Sequence, residues 1–169
     1  EDPSQEETKR AIKRMKRLGT KLVRMMSYAV LPDLPPEKQM LDRRVERLKK
    51  IVGAFLVNGL TPVHENCMNY GGMGASYTLE LIDRLPGMKL VFDTGNPIFS
   101  DDREKPKPYP KQSAWNFYSQ IKDHIAYVHI KDGHYDFENK VSIYGFPGEG
   151  NGDVRKIVKD LLANGYEGG

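Results

Sequence analysis

The sequence has 169 residues, of which 38% are hydrophobic and 29% charged, with 26 Lys and Arg against 23 Asp and Glu. This balance excludes a disordered chain, and no run approaches the roughly 20 apolar residues of a membrane span. A net charge of +3 is small for a nucleic-acid binder, so we expect neither a nucleic-acid nor a membrane partner. The single cysteine, Cys67, excludes an internal disulfide and indicates a reducing, cytoplasmic compartment. The length predicts one domain over residues 1–169.

Apolar periodicity and turn residues predict helices and short strands in alternation. Ser4 and Glu7 have the spacing of a capping box at the start of the first helix, which ends at residue 18. A long second helix is predicted between Pro35–Pro36 and Gly59. The predicted strands span residues 21–26, 61–65, 88–93 and 125–130, and the last three are followed by predicted helices over 76–85, 113–121 and 153–163.

Strands that alternate with helices predict an α/β fold with a parallel sheet. The loops after the strands are long, whereas those after the helices are short. This asymmetry is typical of a (β/α) barrel or a doubly wound sheet whose function lies at the carboxyl ends of the strands. The glycine-rich segment 71–74 has the spacing of neither the dinucleotide fingerprint nor the P-loop, which argues against a nucleotide-binding fold.

Three consecutive predicted strands end in a side chain that can bind a metal ion. Glu65 lies in VHEN, Asp93 ends LVFD, and His129 lies in YVHIKD. Because the strand ends of a parallel barrel converge on one mouth, these side chains can meet at one point. Two carboxylates and one imidazole suit a divalent cation such as Mn²⁺, Mg²⁺, Co²⁺ or Zn²⁺. Each residue alone also has a structural alternative, as a cap for either carboxylate and as a core side chain for the histidine.

Four segments together carry a family resemblance: VHEN at 63–66, FDTGN at 92–96, VHIKDGH at 128–134 and PGEGNGD at 147–153. In this order and spacing they resemble the xylose isomerase-like TIM barrels, which include sugar isomerases, sugar epimerases and endonuclease IV. The resemblance implies a partial (β/α)₈ TIM barrel that runs from about helix three to the start of strand eight. We therefore expect the chain to be part of a longer protein.

The resemblance also implies roles for single residues. Glu65, Asp93 and His129 match the family's metal ligands, and a fourth ligand, a glutamate of strand eight, is expected beyond Gly169. The implied enzyme is a sugar isomerase or epimerase that works through an enediolate, whose charge the metal ion stabilises. In that reaction Glu65 would also move the proton next to the substrate carbonyl.

Three residues at the mouth are expected to contact the small sugar substrate: Asn96, Lys131 and His134. For Lys131 the alternative is an ion pair with Asp132 or another carboxylate at the rim. For Asn96 and His134 the alternative is a solvated position in a loop. The resemblance is also compatible with a homo-oligomer.

Three residues near the motifs are expected to have structural roles. His64 points away from Glu65 on its strand, so we expect it to pack in the outer layer of the barrel. Glu149 lies in PGEG, a segment that is expected to turn the chain into the last helix. Asp153, after Gly152, is expected to cap that helix.

Three other functions remain open on the same barrel. An endonuclease IV-like DNA repair enzyme would need a trinuclear zinc site, but one of its expected histidines is Asn96 here, and its Asp-x-His pair aligns with Ser142 and Tyr144. A carbohydrate lyase or C-deglycosylase subunit, often with a partner subunit, would act on C-glycosides and not on free ketoses. A non-catalytic module would bind a sugar without converting it.

Overall fold

The computed structural model describes residues 3–169, with side chains from residue 5 onward. The predicted capping box of Ser4 therefore lies outside the described side chains. The helices are α1 (Pro3–Leu18), α2 (Leu41–Leu56), α3 (Ala75–Arg84), α4 (Asn96–Phe99), α5 (Ala114–Ile121) and α6 (Val154–Ala163). The strands are β1 (Leu22–Met25), β2 (Thr61–Glu65), β3 (Lys89–Asp93), β4 (Ile125–His129), β5 (Asp132–Asp136) and β6 (Val141–Gly145). Among the described helices, none is long and apolar enough to cross a bilayer.

Strands β1 to β4 form one parallel sheet in the order β1-β2-β3-β4. The last residues of the chain run beside this sheet, where the backbone N–H of Val128 donates to the carbonyl oxygen of Gly169 at 2.9 Å. Parallel strands that alternate with helices confirm the predicted α/β architecture of a partial barrel. The four strands and the helices α3, α5 and α6 begin and end within one residue of their predicted positions.

Two predicted elements differ from the structure. The long second helix does not start at the prolines, because residues Pro36–Lys38 form a separate 3₁₀ turn. Met40 then adopts a left-handed backbone with φ of 56°, which interrupts helical hydrogen bonding before α2 begins at Leu41. The long loop predicted after residue 130 contains the antiparallel hairpin of β5 and β6. Strand β6 is exposed along its whole length and is only five residues long, so no run of buried residues marks it.

Successive side chains of the sheet point to opposite faces, as the two-residue period of a strand requires. On the outer face, Leu90 and Phe92 pack against α5 and α6 in one apolar core. Met25 joins a second core beneath α2 and α3. The inner face carries the three predicted metal ligands at the carboxyl ends of the strands, so the helices stabilise one face and leave the other to the site.

Candidate metal centre

The three predicted ligands meet at the carboxyl edge of the inner face. Glu65 ends β2, Asp93 ends β3 and His129 ends β4, and these three strands are neighbours in the sheet. His129 Nδ1 lies 3.4 Å from Glu65 Oε1 and 3.9 Å from Asp93 Oδ2. One potential ligand atom of each residue lies within 4.8 Å of the others. The parallel register therefore brings together side chains that are distant in sequence.

Backbone hydrogen bonds fix the orientation of Asp93. Its Oδ1 accepts from the backbone N–H of Gly95 at 2.9 Å and from that of Asn96 at 2.8 Å. The side-chain amide of Asn66 donates to the carbonyl of Asp93 and accepts from its N–H. Since Oδ1 is held in this turn, Oδ2 is the oxygen that faces His129.

The two oxygens of Glu65 have different surroundings. Oε1 accepts a hydrogen bond from the side-chain amide of Asn96 at 3.2 Å. Oε2 lies 2.9 Å from Arg24 Nε, but without hydrogen-bond geometry, and it accepts no hydrogen bond among the described residues. Leaving a buried carboxylate oxygen without a hydrogen bond is costly, and a bound cation would offset that cost.

The donor set fits a divalent metal ion. Ligand atoms about 2.0–2.2 Å from a small divalent cation lie about 3 Å from one another at right angles. The separations of His129 Nδ1 from the carboxylates of Glu65 and Asp93 are only slightly larger. Carboxylate oxygen and imidazole nitrogen suit Mg²⁺, Mn²⁺, Co²⁺ and Zn²⁺ alike. The donor chemistry, the spacing and a Glu65 oxygen that accepts no hydrogen bond among the described residues together indicate that this cluster can hold such an ion.

Two of the three predicted substrate residues lie beside the ligands. Lys131 Nζ lies 2.9 Å from Asp93 Oδ2 and donates to Asn96 Oδ1 at 3.1 Å. The ion pair of Lys131 is therefore with Asp93 and not with Asp132. His134 lies on β5 with an exposed side chain, outside the cluster of potential ligands.

Asp132 has a structural role that the sequence did not reveal. Its buried carboxylate accepts four backbone N–H groups at 2.7–3.1 Å, from Gly133, Gly148, Gly150 and Gly152. Burial opposes ionisation, but these donors outweigh it and lower the pKa of Asp132 below its ordinary value. Asp132 thereby fastens the glycine-rich turn 147–153 to the start of β5. Glu149 is exposed in this turn, as expected of a structural segment.

Structural roles were also expected of His64 and Asp153. His64 is buried on the outer face, as predicted, with Nε2 2.8 Å from Ser27 Oγ. Burial, and then the charge of Arg24, lower the pKa of His64 to about 4. Asp153 lies at the N-cap position of α6, as predicted, but its side chain makes no capping hydrogen bond. The backbone of Asp153 is left-handed, and its Oδ2 accepts from the N–H of Trp115 at 3.3 Å instead.

Arg24 is the residue of this site that sequence reasoning missed. It lies on β1 and pairs in register with Val63, two positions before Glu65. Residues two apart on a strand share a face, so Arg24 and Glu65 both belong to the inner face. The signal was a single charged residue within the apolar strand LVRMM.

The placement of the remaining candidates does not assemble a trinuclear site. Within the described part of the chain, Glu65, Asp93 and His129 form the single group of three potential ligands. Ser142 and Tyr144, which align with a ligand pair of endonuclease IV, lie on the exposed strand β6. Among the described residues, the geometry therefore brings together the ligands of a single ion.

The sequence profile of the family described as "Xylose isomerase-like TIM barrel" matches residues 1–168. The chain belongs to this family. The resemblance seen in the four motifs is thereby confirmed, together with the partial barrel that it implies. No curated protein sequence matches the chain.

Solved structures with the same fold cover nearly the whole chain. A xylose isomerase domain protein from Planctomyces limnophilus has a TM-score of 0.74 at 15% identity. The matched region covers 96% of this chain and 55% of the Planctomyces chain. A xylose isomerase-like TIM barrel protein from Mycobacterium smegmatis, in complex with magnesium, has a TM-score of 0.67 at 19% identity, covering 95% and 56%. An L-ribulose 3-epimerase has a TM-score of 0.66 at 21% identity, covering 96% and 51%.

At these identities the likeness establishes the fold, and the activity has to be argued from the site. The chain spans about half the length of the xylose isomerase-like structures that it matches. Its described residues nevertheless include neighbouring strands of the sheet and the three side chains that converge at their carboxyl ends.

Proposed function

We propose that the full-length protein is a divalent-metal-dependent isomerase or epimerase of a small sugar or related polyol. The observation that carries this proposal is the convergence of Glu65, Asp93 and His129, with Glu65 Oε2 buried and without a hydrogen bond. The family, the magnesium-bound relative and the fold shared with an L-ribulose 3-epimerase support the same reaction class.

The proposed reaction moves a proton on the carbon next to a carbonyl and passes through an enediolate. Such a carbon acid needs a positioned base and a positive charge near the oxygen that becomes negative. A divalent ion held by Glu65, Asp93 and His129 would supply that charge. Glu65 is the proposed base, because a carboxylate has two oxygens and can bind a metal with one while the other accepts a proton. Asn96 orients Glu65 through the hydrogen bond to Oε1.

Lys131, Asn96 and His134 are the proposed substrate contacts. The Lys131 ammonium and the Asn96 amide both lie within hydrogen-bond distance of the ligand side chains, so a sugar oxygen at the cluster would meet both. His134 is proposed because its hairpin begins directly after Lys131 at the same edge of the sheet. An unchanged KM in His134→Gln would remove that residue from the set.

The test is metal-dependent exchange of a substrate hydrogen with solvent. The full-length protein, loaded with Mn²⁺, is incubated in D₂O with dihydroxyacetone, D-ribulose and dihydroxyacetone phosphate, and deuterium uptake next to the carbonyl is followed by NMR. Glu65→Gln should slow the exchange at least about 100-fold, since it removes the base. Glu149→Gln, an exposed glutamate near the same mouth, should leave the rate unchanged.

Metal binding is measured separately by calorimetric titration with Mn²⁺. Asp93→Asn and His129→Gln should each weaken Mn²⁺ binding, because each replaces a ligand atom. Equal exchange rates in the wild type and Glu65→Gln would contradict the proposed base. Mn²⁺ affinity equal to that of the wild type in Glu65→Gln, Asp93→Asn and His129→Gln would contradict the proposed centre.

A further inference from the structure

The positive charge of the chain is distributed unevenly. Residues 8–32 contain eight Lys and Arg and no Asp or Glu, and residues 47–64 contain three Lys and Arg and again no acidic residue. These stretches include most of α1, the whole of β1 and the second half of α2. Acidic residues elsewhere offset this charge, so the net charge of +3 does not describe this part of the surface.

Four basic side chains of α1 form one exposed stripe. They are spaced by three and four residues, which places them on one face of the helix: Arg10, Lys13, Arg14 and Arg17. The opposite face packs against the core through Ala11, Ile12 and Met15. Among the described residues, none of the four basic side chains pairs with a carboxylate. The stripe therefore presents unpaired positive charge to the solvent.

Exposed aliphatic side chains lie where this stripe ends. Leu18, the last residue of α1, is 73% exposed, and Val57, the residue after α2, is 83% exposed. Lys16 Nζ donates to Asn58 Oδ1 at 2.7 Å and so joins the ends of the two helices. Lys21, just before β1, is also exposed. We call the four residues of the stripe, together with Leu18, Lys21 and Val57, the basic end.

The basic end lies away from the candidate metal centre. The helices α1 and α2 end just before β1 and β2 begin, and the two strands are parallel, so these helix ends lie at the amino-terminal edge of the sheet. The three potential metal ligands lie at its carboxyl edge. A partner bound at the basic end therefore leaves the mouth open to substrate.

We propose that the basic end docks the protein on an anionic phospholipid bilayer, with Leu18 and Val57 entering the boundary between head groups and acyl chains. Anionic head groups attract lysine and arginine, and each such residue near the surface strengthens binding about 5-fold. The aliphatic side chains add to this binding because they leave water. Docking of this kind requires no membrane-spanning helix.

A bilayer fits this surface better than a nucleic acid does. Both would attract the basic side chains, but the phosphate backbone of a nucleic acid offers no apolar layer for the exposed leucine and valine. The expectation of no membrane partner used the net charge of the whole chain, which the uneven distribution makes a poor measure of this surface. The inference is independent of the proposed function, because no potential metal ligand belongs to the basic end.

The first arm of the test measures co-sedimentation of the wild-type, full-length protein with vesicles. Phosphatidylcholine vesicles that contain about 30% phosphatidylserine should bind at least about 100-fold more tightly than pure phosphatidylcholine vesicles at about 0.1 M NaCl. Raising NaCl to about 0.5 M should weaken this binding at least about 10-fold, because salt screens exposed charges. Equal binding to both kinds of vesicle, or binding to neither, would overturn the proposal.

The second arm removes charge from the stripe. Lys13→Gln combined with Arg17→Gln should weaken binding to the phosphatidylserine vesicles about 25-fold. The matched control is Lys105→Gln combined with Lys140→Gln, which removes two exposed lysines from loops that follow the carboxyl edge of the sheet. The control pair should change binding by about 2-fold or less. Equal losses in both pairs would show that the vesicles sense the total charge and not the basic end.

The third arm removes the aliphatic side chains and keeps every charge. Leu18→Ser combined with Val57→Ser should weaken binding to the phosphatidylserine vesicles about 10-fold. Met68→Ser is the matched control at the mouth, where the side chain is 84% exposed, and it should leave binding unchanged. Unchanged binding in Leu18→Ser with Val57→Ser would overturn the insertion of these side chains. Tighter binding of a DNA duplex of about 20 base pairs than of the vesicles would assign the basic end to nucleic acid and overturn the bilayer.

Discussion

His64 and Glu65 are adjacent in the chain but lie on opposite faces of the sheet. His64 is on the outer face, buried beside Ser27, and its pKa is lowered to about 4, so it is neutral near pH 7. Glu65 is on the inner face, where His129 and the charge of Arg24 lie within 3.4 Å of its oxygens. His64 is uncharged on the helix-covered face because burial removes the water that would stabilise its protonated form. The mouth edge keeps its charges because opposite charges and accessible side chains surround them.

This contrast shows that alternating side chains of one strand can have different roles. Those on the outer face stabilise the fold, and those on the inner face can bind a ligand. Substitutions on the outer face are expected to lower the free energy of unfolding. Substitutions of Glu65, Asp93 and His129, at the carboxyl ends of the inner face, are expected to change metal binding.

Phe92→Ala should lower the free energy of unfolding by about 3–5 kcal/mol, because it opens a cavity in a fully buried core. The ring of Phe92 packs 6.0 Å from that of Phe117 and 5.6 Å from that of Tyr118. Urea unfolding followed by circular dichroism measures the change. Met68→Ala is the control at the mouth, where the side chain is 84% exposed, and it should cost about 0.5 kcal/mol or less. Similar losses in both variants would contradict the division between the faces.

His64 should make stability depend on pH. Its pKa of about 4 in the folded protein lies below the ordinary value of 6.5, so the unfolded chain takes up a proton first as pH falls. The free energy of unfolding should therefore fall between about pH 6.5 and pH 4, by about 3 kcal/mol in total from this group. His64→Gln removes the titration, so the difference between wild type and variant should shrink as pH falls through this range. A difference that is constant with pH would show that His64 is not the buried neutral group described here.

Asp132→Asn should cost about 2 kcal/mol, because a neutral amide oxygen replaces a carboxylate that accepts four backbone N–H groups. The pKa of Asp132 is lowered in the folded state, so its contribution is present above the ordinary value of 3.8 and is lost as pH falls further. Hydrogen exchange at Gly148, Gly150 and Gly152 locates the change. Glu149→Gln, in the same turn, should leave both stability and exchange unaltered, and equal effects of the two substitutions would contradict the role of Asp132.

Most of the fold was accessible from the sequence because its signals are local. The strands that contain Glu65, Asp93 and His129 begin and end within one residue of their predicted positions. The hairpin of β5 and β6 was missed because its second strand is short and buries no face against the core. The start of α2 was missed because the left-handed backbone of Met40 is set by the path of the chain and not by a turn residue.

The candidate site, like the fold, was predictable from the sequence only in part. Its ligands were predictable because the ends of neighbouring parallel strands converge whatever their separation in sequence. The sequence did not decide which partners these ligands take. Lys131 pairs with Asp93 instead of Asp132, and Asp132 turns inward to the glycine-rich segment. Long side chains choose among several nearby partners, and that choice depends on distances that only the packed sheet sets.

Local sequence signals were enough to predict the four parallel strands, the helices that follow them and the residues at the strand ends. These follow from side-chain alternation and turn chemistry, which act over a few residues. The contacts of Arg24 with Glu65 and of Lys131 with Asp93, and the Glu65 oxygen that is buried without a hydrogen bond, became visible only in the folded protein. These depend on the register between strands, because a side chain meets its partner only when two distant segments lie side by side.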